Sequence, residues 1–78
     1  MINHKLSIHI SNSFTRDLVV LLEPWGYQYS VPQGKTYKVE AEGPEGDTFH
    51  LEFGDGNVTV FGWDGSVVTI SEVQEDHM

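Results

Sequence analysis

The sequence predicts a small all-β domain, an antiparallel sandwich of about seven strands, with a flattened β-barrel as the alternative. Two observations predict this fold. Short runs in which apolar and polar residues alternate recur along the chain, as expected of strands with one buried face. The segments between these runs contain Gly, Pro, Asn and Asp, which favour turns. With 78 residues, the chain has room for one hydrophobic core and therefore for one domain.

Three strands are predicted in the first half of the chain. Residues 2–10 alternate between apolar and polar side chains, which indicates a half-buried strand. Residues 18–22 are an unbroken apolar run, too short for a helix, and this favours a central strand covered on both faces. Residues 27–31 alternate again. A turn is expected at residues 23–26, and another at residues 31–34 with Pro32 second and Gly34 fourth.

Residues 35–71 predict a closing meander of three successive hairpins. In the first hairpin, a loop over residues 43–47 places apolar residues opposite each other and pairs Tyr37 with Phe53 on the inner face. We therefore expect Tyr37, Phe49 and Phe53 in the core. The same register places Glu40 opposite His50 and Lys38 opposite Glu52 on the outer face, as favourable cross-strand pairs.

The other two hairpins are predicted from Asp-Gly dipeptides. Asp55-Gly56 favours a two-residue type I′ turn, which aligns Phe53 with Val58 and Leu51 with Val60. By the same reasoning, Asp64-Gly65 aligns Phe61 with Val68 and Thr59 with Ile70. The outer face would then carry four apolar residues, namely Phe61, Trp63, Val68 and Ile70.

This apolar group has two interpretations. Gly62 could mark a bulge or a bend that turns these side chains into the core, or another strand could cover the same face. Alternatively, the four residues form an exposed partner-binding patch with a polar border of His50, Glu40 and Glu52. The position of the chain at Gly62 decides between the two.

The charge is strongly negative and unevenly distributed. The formal net charge is −8, and eleven of the twelve carboxylates follow Leu22. Such a field repels nucleic acid and anionic lipid and permits a basic protein partner. The chain has no cysteine, no apolar run long enough for a membrane span and no signal-peptide pattern at its start, which predicts a cytoplasmic protein. Residues 72–78 are expected to form an acidic, frayed tail after a domain of residues 1–71.

Chemical motifs are weak throughout the sequence. We find no phosphate-binding loop, zinc motif or calcium loop. The histidines His4, His9, His50 and His77 are not expected to come together in one site. We therefore predict no cofactor, no metal site and no enzymatic activity. Trp25, Tyr27 and Trp63 lie near predicted strand ends, where aromatic rings could stack on a sugar or another small ligand or fill the core.

The turns and aromatic residues also carry a resemblance. The pattern consists of Glu23-Pro24-Trp25-Gly26, an aromatic strand, the turn at Pro32-Gln33-Gly34 and the later Gly62-Trp63 pair. In this pattern, over about residues 12 to 70, the chain resembles a group of short, uncharacterised bacterial proteins. The resemblance implies an all-β fold and implies no activity or site residues.

We therefore expect a non-enzymatic protein-interaction module that binds a basic partner or a second copy of itself, with a bacterial inhibitor or immunity-type protein as one concrete form. The alternative expectation is a carbohydrate or small-ligand binding domain that uses Trp25, Tyr27 and Trp63.

Overall fold

A computed structural model describes residues 3–44 and 48–74, which form seven β-strands and no helix. The strands are β1 (Asn3–Ser11), β2 (Leu18–Glu23), β3 (Tyr27–Val31), β4 (Thr36–Pro44), β5 (His50–Gly54), β6 (Asn57–Phe61) and β7 (Val67–Glu72). The predicted all-β fold of about seven strands is therefore confirmed.

The strands form two sheets that do not close on each other. One sheet has three strands in the order β1-β4-β7, and the other has four in the order β3-β2-β6-β5. The fold is thus a small sandwich and not the flattened barrel that was the alternative. It also departs from a purely antiparallel sandwich, because β2 and β6 pair in parallel, with Val20 opposite Val58.

The core lies between the inner faces of the two sheets. Every second residue of the central strands is buried, because successive side chains of a strand point to opposite faces. Its buried members are Leu18, Val20, Leu22, Val31, Val39, Ala41, Val58, Val60, Trp63 and Val68. The continuous apolar run of β2 occupies the predicted central position, with β3 on one side and β6 on the other.

The second predicted hairpin is confirmed in full register. Phe53 lies opposite Val58, Leu51 opposite Val60, and His50 opposite Phe61. The turn type is different from the expected type I′, in which both central residues have positive φ. Here only Gly56 has a positive φ, at 81°, and Asp55 does not. A short local loop therefore fixed the register even though its backbone conformation differs.

The first and third predicted hairpins are wrong. β4 pairs with β1 and β7 in the three-stranded sheet, whereas β5 and β6 belong to the other sheet. Glu40 consequently lies opposite Ser7 and Thr69 and not opposite His50, and Lys38 lies opposite His9 and Ser71 and not opposite Glu52.

The third hairpin fails for the same reason. β6 and β7 are in different sheets, so Phe61 is not opposite Val68 and Thr59 is not opposite Ile70. Val68 lies opposite Ala41 and Ile70 opposite Val39. After β4 and again after β6, the chain crosses from one sheet to the other. The middle of the connection from β4 to β5, residues 45–47, lies outside the described residues.

Three smaller expectations are corrected. Phe53 is on the inner face as predicted, but 73% of it is exposed, because β5 is an edge strand. Tyr37 and Phe49 are partly buried against the core. The turn after β3 begins one residue later than expected, since the Lys35 N–H donates to the Pro32 carbonyl at 3.1 Å.

The ends of the described chain are held by the three-stranded sheet. Glu72, assigned to the tail by sequence, is the last residue of β7 and lies opposite Tyr37. The Val73 N–H donates to the Thr36 carbonyl at 2.9 Å. Ile2 in the first predicted strand and residues 75–78 of the expected tail lie outside the described residues.

Candidate partner-binding face

The outer face of the four-stranded sheet combines apolar and acidic side chains. Its middle is built by β2 and β6, where Leu21 lies opposite Thr59 and Glu23 opposite Phe61. The edge strand β5 adds Glu52 beside Thr59. These residues are partly buried except Glu52, which is exposed. Unlike a purely polar outer face, this one offers an apolar surface between two carboxylates.

A shallow groove of about 630 Å³ runs across this face. It is lined by Glu23, Pro24, Glu52, Thr59, Phe61 and Gly62, and we call it the outer groove. Phe61 forms its apolar floor, and Glu23 and Glu52 stand on the strands at either side of β6. Neighbouring strands are about 4.8 Å apart and successive residues of a strand about 3.4 Å apart. Glu23 is level with Phe61 and Glu52 with Thr59, so their backbones are about 10 Å apart across the sheet and about 7 Å apart along it.

His50 holds the Phe61 ring from the β5 side. The two residues are directly opposite, and their rings meet edge to face, with centroids 5.4 Å apart and an angle of 65° between the planes. Edge-to-face aromatic pairs of this kind add to the stability gained by burial. Phe61 thus packs on His50 and also lines the outer groove.

The two carboxylates of the outer groove have no ion-pair partner among the described residues. Three of the four basic residues of the chain are engaged elsewhere, in the pairs Lys5–Glu40 at 3.9 Å, Arg16–Asp55 at 3.2 Å and Lys35–Glu72 at 3.7 Å. The fourth, Lys38, is on β4 in the other sheet. The outer groove therefore keeps its negative charge and attracts a cation from outside the chain.

The seven residues predicted to form one partner-binding patch are divided between two places. Phe61 and Glu52 line the outer groove, and His50 contacts Phe61 beside it. Glu40 lies on the outer face of the other sheet, where Lys5 and Ser7 contact it. Trp63, Val68 and Ile70 turn inward: the first two are buried, and Ile70 packs partly buried against the core. The exposed patch expected from these four apolar residues does not exist.

The chain changes sheets at Gly62, which explains why the apolar residues after it are buried. A Cβ at Gly62 would collide with Ser66 Oγ and Val68 Cγ2, so the backbone passes too close to the next strand for a side chain. Ser66 Oγ in turn donates to the Trp63 carbonyl at 2.6 Å. The first of the two sequence interpretations therefore holds for Trp63, Val68 and Ile70, which pack in or against the core after the change of sheet, but not for Phe61, which stays on the outer face.

The three aromatic residues of the ligand-binding alternative are also separated. Only 7% of Trp63 is exposed, and its indole N–H donates to the Pro44 carbonyl at 2.6 Å. Trp25 and Tyr27 are exposed. Trp25 and Trp63 line one groove of about 390 Å³ together with Asp64 and Ser66, whereas Tyr27 is not part of its lining.

Sequence reasoning placed Thr59 on this face, opposite Glu52, as the structure has it, but missed Glu23 and Leu21 of β2. They join it through the parallel pairing of β2 with β6, which connects segments more than thirty residues apart. The unbroken apolar run of β2 was the available signal, because it implies that the second face of the strand is also partly covered.

No protein-family model matches the chain, and comparisons with curated proteins and with solved structures found no similar protein. Within residues 3–44 and 48–74, no three His, Asp or Glu side chains are grouped so that they could hold a metal ion. The same residues contain no helix that is long and apolar enough to cross a membrane.

Proposed function

We propose that this chain is a non-enzymatic protein-interaction module that binds a basic segment of a partner protein in the outer groove. The observation that carries the proposal is the pair of carboxylates, Glu23 and Glu52, on the two strands that flank β6 and its half-buried Phe61. The net charge of −8 extends the same preference over the whole molecule. An inhibitor or immunity-type protein that acts in the cytoplasm on a basic target is one concrete form of this function.

The groove suits both the aliphatic stem and the cationic head of an arginine or lysine side chain. The aliphatic stem of such a side chain can lie on Phe61, and the cationic head is attracted by the ring face as well as by the two carboxylates. Charge complementarity of this kind raises the association rate and selects basic partners over acidic ones.

The proposal is tested with a short Arg-rich peptide as the probe, followed by NMR chemical-shift changes of the 15N-labelled protein. We expect the largest shifts at Glu23, Glu52 and Phe61, and no comparable shifts with an acidic peptide of equal length. The Glu23→Gln, Glu52→Gln double variant should bind about tenfold more weakly, since each lost charge pair contributes a fraction of a kcal/mol to about 1 kcal/mol.

A matched control is the double variant Glu40→Gln, Glu42→Gln, which removes the same charge from the outer face of the other sheet. It should leave binding nearly unchanged. If both double variants weaken binding equally, the peptide senses only the overall charge, and the outer groove is not its site.

A second candidate function, binding of a sugar or another small ligand, is favoured by the groove that Trp25 and Trp63 share. The exposed Trp25 ring provides a stacking surface, and Asp64 provides a hydrogen-bond acceptor in the same groove. A titration of tryptophan fluorescence with simple mono- and disaccharides tests this candidate. A response that is lost in Trp25→Ala would support it, and an unchanged spectrum across the series would argue against it.

A further inference from the structure

We propose that β3 is a self-association edge through which two copies of the chain pair as antiparallel strands. The pairing would join two four-stranded sheets into one continuous sheet of eight. β3 and β5 are the opposite edges of the four-stranded sheet, so pairing through β3 leaves the outer groove open. The pairing is therefore independent of the function proposed above. Three features of β3 carry the inference: the direction of its backbone groups, its exposed aromatic side chains and its lack of charge.

The unpaired backbone groups of β3 belong to Gln28 and Ser30. The Gly26 N–H donates to the Leu22 carbonyl, so the backbone groups of Leu22 point toward β3. The Val19 N–H donates to the Gly56 carbonyl, so the backbone groups of Val19 point toward β6. Since these directions alternate along a strand, Tyr27, Tyr29 and Val31 exchange hydrogen bonds with β2. The N–H and C=O groups of Gln28 and Ser30 then point away from the sheet.

An antiparallel pair centred on Tyr29 uses all of these groups. A two-fold axis normal to the sheet places Gln28 of each copy opposite Ser30 of the other, and the two pairs exchange four backbone hydrogen bonds. Tyr29 then meets its own copy in the non-hydrogen-bonded position, where opposite side chains are closest. Tyr27 lies opposite Val31. The Tyr29 pair is aromatic and the Gln28–Ser30 pairs are hydrogen-bonding, as favourable cross-strand pairs require, whereas Val31 is already buried in its own core.

The tyrosine side chains are exposed although they lie on the face of the sheet that carries the core. Tyr27 and Tyr29 lie opposite Leu22 and Val20, on the inner side of the sheet, yet they are 55% and 39% exposed. In the paired arrangement the two copies present these faces on the same side of the joined sheet. The four tyrosine rings would then pack together across the two-fold axis.

Charge indicates a second copy as the occupant of this edge. β3 is the only edge strand of the described residues without a charged or histidine side chain, whereas β1 carries Lys5, β5 carries Glu52 and β7 carries Glu72. Natural edge strands commonly use charges to prevent pairing. In a chain of net charge −8, two copies approach most easily where carboxylates are few. β3 itself carries none, and the Asp17 carboxylate beside it accepts a hydrogen bond from Ser30 Oγ at 3.0 Å.

The proposal is tested by sedimentation equilibrium of the full chain from about 1 μM to about 1 mM, the range expected for a small interface. We expect a reversible monomer–dimer equilibrium. Gln28→Pro removes one outward-pointing N–H per copy and no hydrogen bond to β2, so it should raise the dissociation constant about thirtyfold. A chain that stays monomeric at the highest concentration would overturn the proposal.

The matched control is Phe53→Pro on the opposite edge of the same sheet. Its N–H also points outward, because Gly54 and Asn57 flank the two-residue turn and bond to each other across it. This variant should dimerise like the parent chain. If Phe53→Pro dissociates the dimer and Gln28→Pro does not, the edge is β5 and the proposal is wrong.

A second variant and a second measurement keep the test valid if the proline variant does not fold. Tyr29→Lys places two like charges opposite each other at the two-fold axis and should abolish the dimer at the same concentrations. In the parent chain, hydrogen exchange at the amides of Gln28 and Ser30 should slow as concentration rises, while exchange at Leu51 and Phe53 should not change. Concentration-independent exchange at all four amides would contradict the pairing.

Discussion

At the scale of single residues, Asn12 joins the connection between β1 and β2 to the end of β3 through one buried side chain. Its amide group donates to the carbonyls of Arg16 and Val31, both at 2.8 Å, and its Oδ1 accepts from the Phe14 N–H at 2.8 Å. Its own backbone N–H and carbonyl bond to Lys35 and Gly34 in the turn after β3. Asn12 is only 2% exposed. The connection between β1 and β2 is thus fixed to the end of β3 by a polar residue inside the molecule.

Asn12→Ala is expected to lower the free energy of unfolding by about 2–4 kcal/mol, because buried backbone groups lose their partners when the side chain is removed. Urea denaturation followed by tryptophan fluorescence measures the change. Gln33→Ala removes a similar amide from an exposed turn and should change stability by less than about 0.5 kcal/mol. Equal effects of the two substitutions would show that the Asn12 bonds do not contribute to stability.

At the scale of elements, the connections determine which strands become neighbours. The two-residue turn between β5 and β6 and the three-residue connection between β2 and β3 both join antiparallel neighbours. Of the three hairpins predicted for residues 35–71, only the one with the two-residue β5–β6 turn is correct. The five-residue connection from β6 to β7 is long enough to span the roughly 10 Å between two packed sheets. The same apolar side chains point into the core whether two successive strands pair in one sheet or lie in two packed sheets. Alternation of apolar and polar residues alone therefore could not choose between these two arrangements.

The crossing after β6 depends on the absence of a side chain at Gly62. Gly62→Ala would place a Cβ against Ser66 Oγ and Val68 Cγ2, and we expect it to lower the free energy of unfolding by about 1–3 kcal/mol. Gly54→Ala is the matched control, because its Cβ would meet only the amide end of the Asn57 side chain, which can move. Thermal denaturation of both variants compares them. A Gly54 variant less stable than the Gly62 variant would refute this account of the crossing.

At the scale of the whole molecule, negative charge and a small core act against each other. A chain of this length gains little stability from its core, and a net charge of −8 opposes the compact state by self-repulsion. The described ion pairs are on the surface and offset little of this repulsion. The same charge serves the proposed function, because the unpaired carboxylates of the outer groove are those that a basic partner would neutralise.

Raising the NaCl concentration from about 0.02 M to about 0.5 M should therefore stabilise the fold, since salt shortens the range of the repulsion. We expect the melting temperature to rise by about 4 °C or more, which corresponds to about 1 kcal/mol in a domain of this size. Calorimetry measures the shift. The Glu23→Gln, Glu52→Gln double variant, whose formal net charge is −6, should respond less. A melting temperature that falls with NaCl would contradict the balance described here.

The sequence by itself determined the all-β class, the central position of β2 and the register of β5 with β6, because alternation, an unbroken apolar run and a two-residue turn are local signals. Only the tertiary structure decided that β4 and β7 share one sheet, that β2 pairs in parallel with β6, and that Trp63 and Val68 are buried. These features depend on strands far apart in the chain, and an apolar side chain is buried equally well by any partner of suitable shape. The composition of the outer groove follows from that choice of neighbours, since Glu23 joins Phe61 only through the parallel pair.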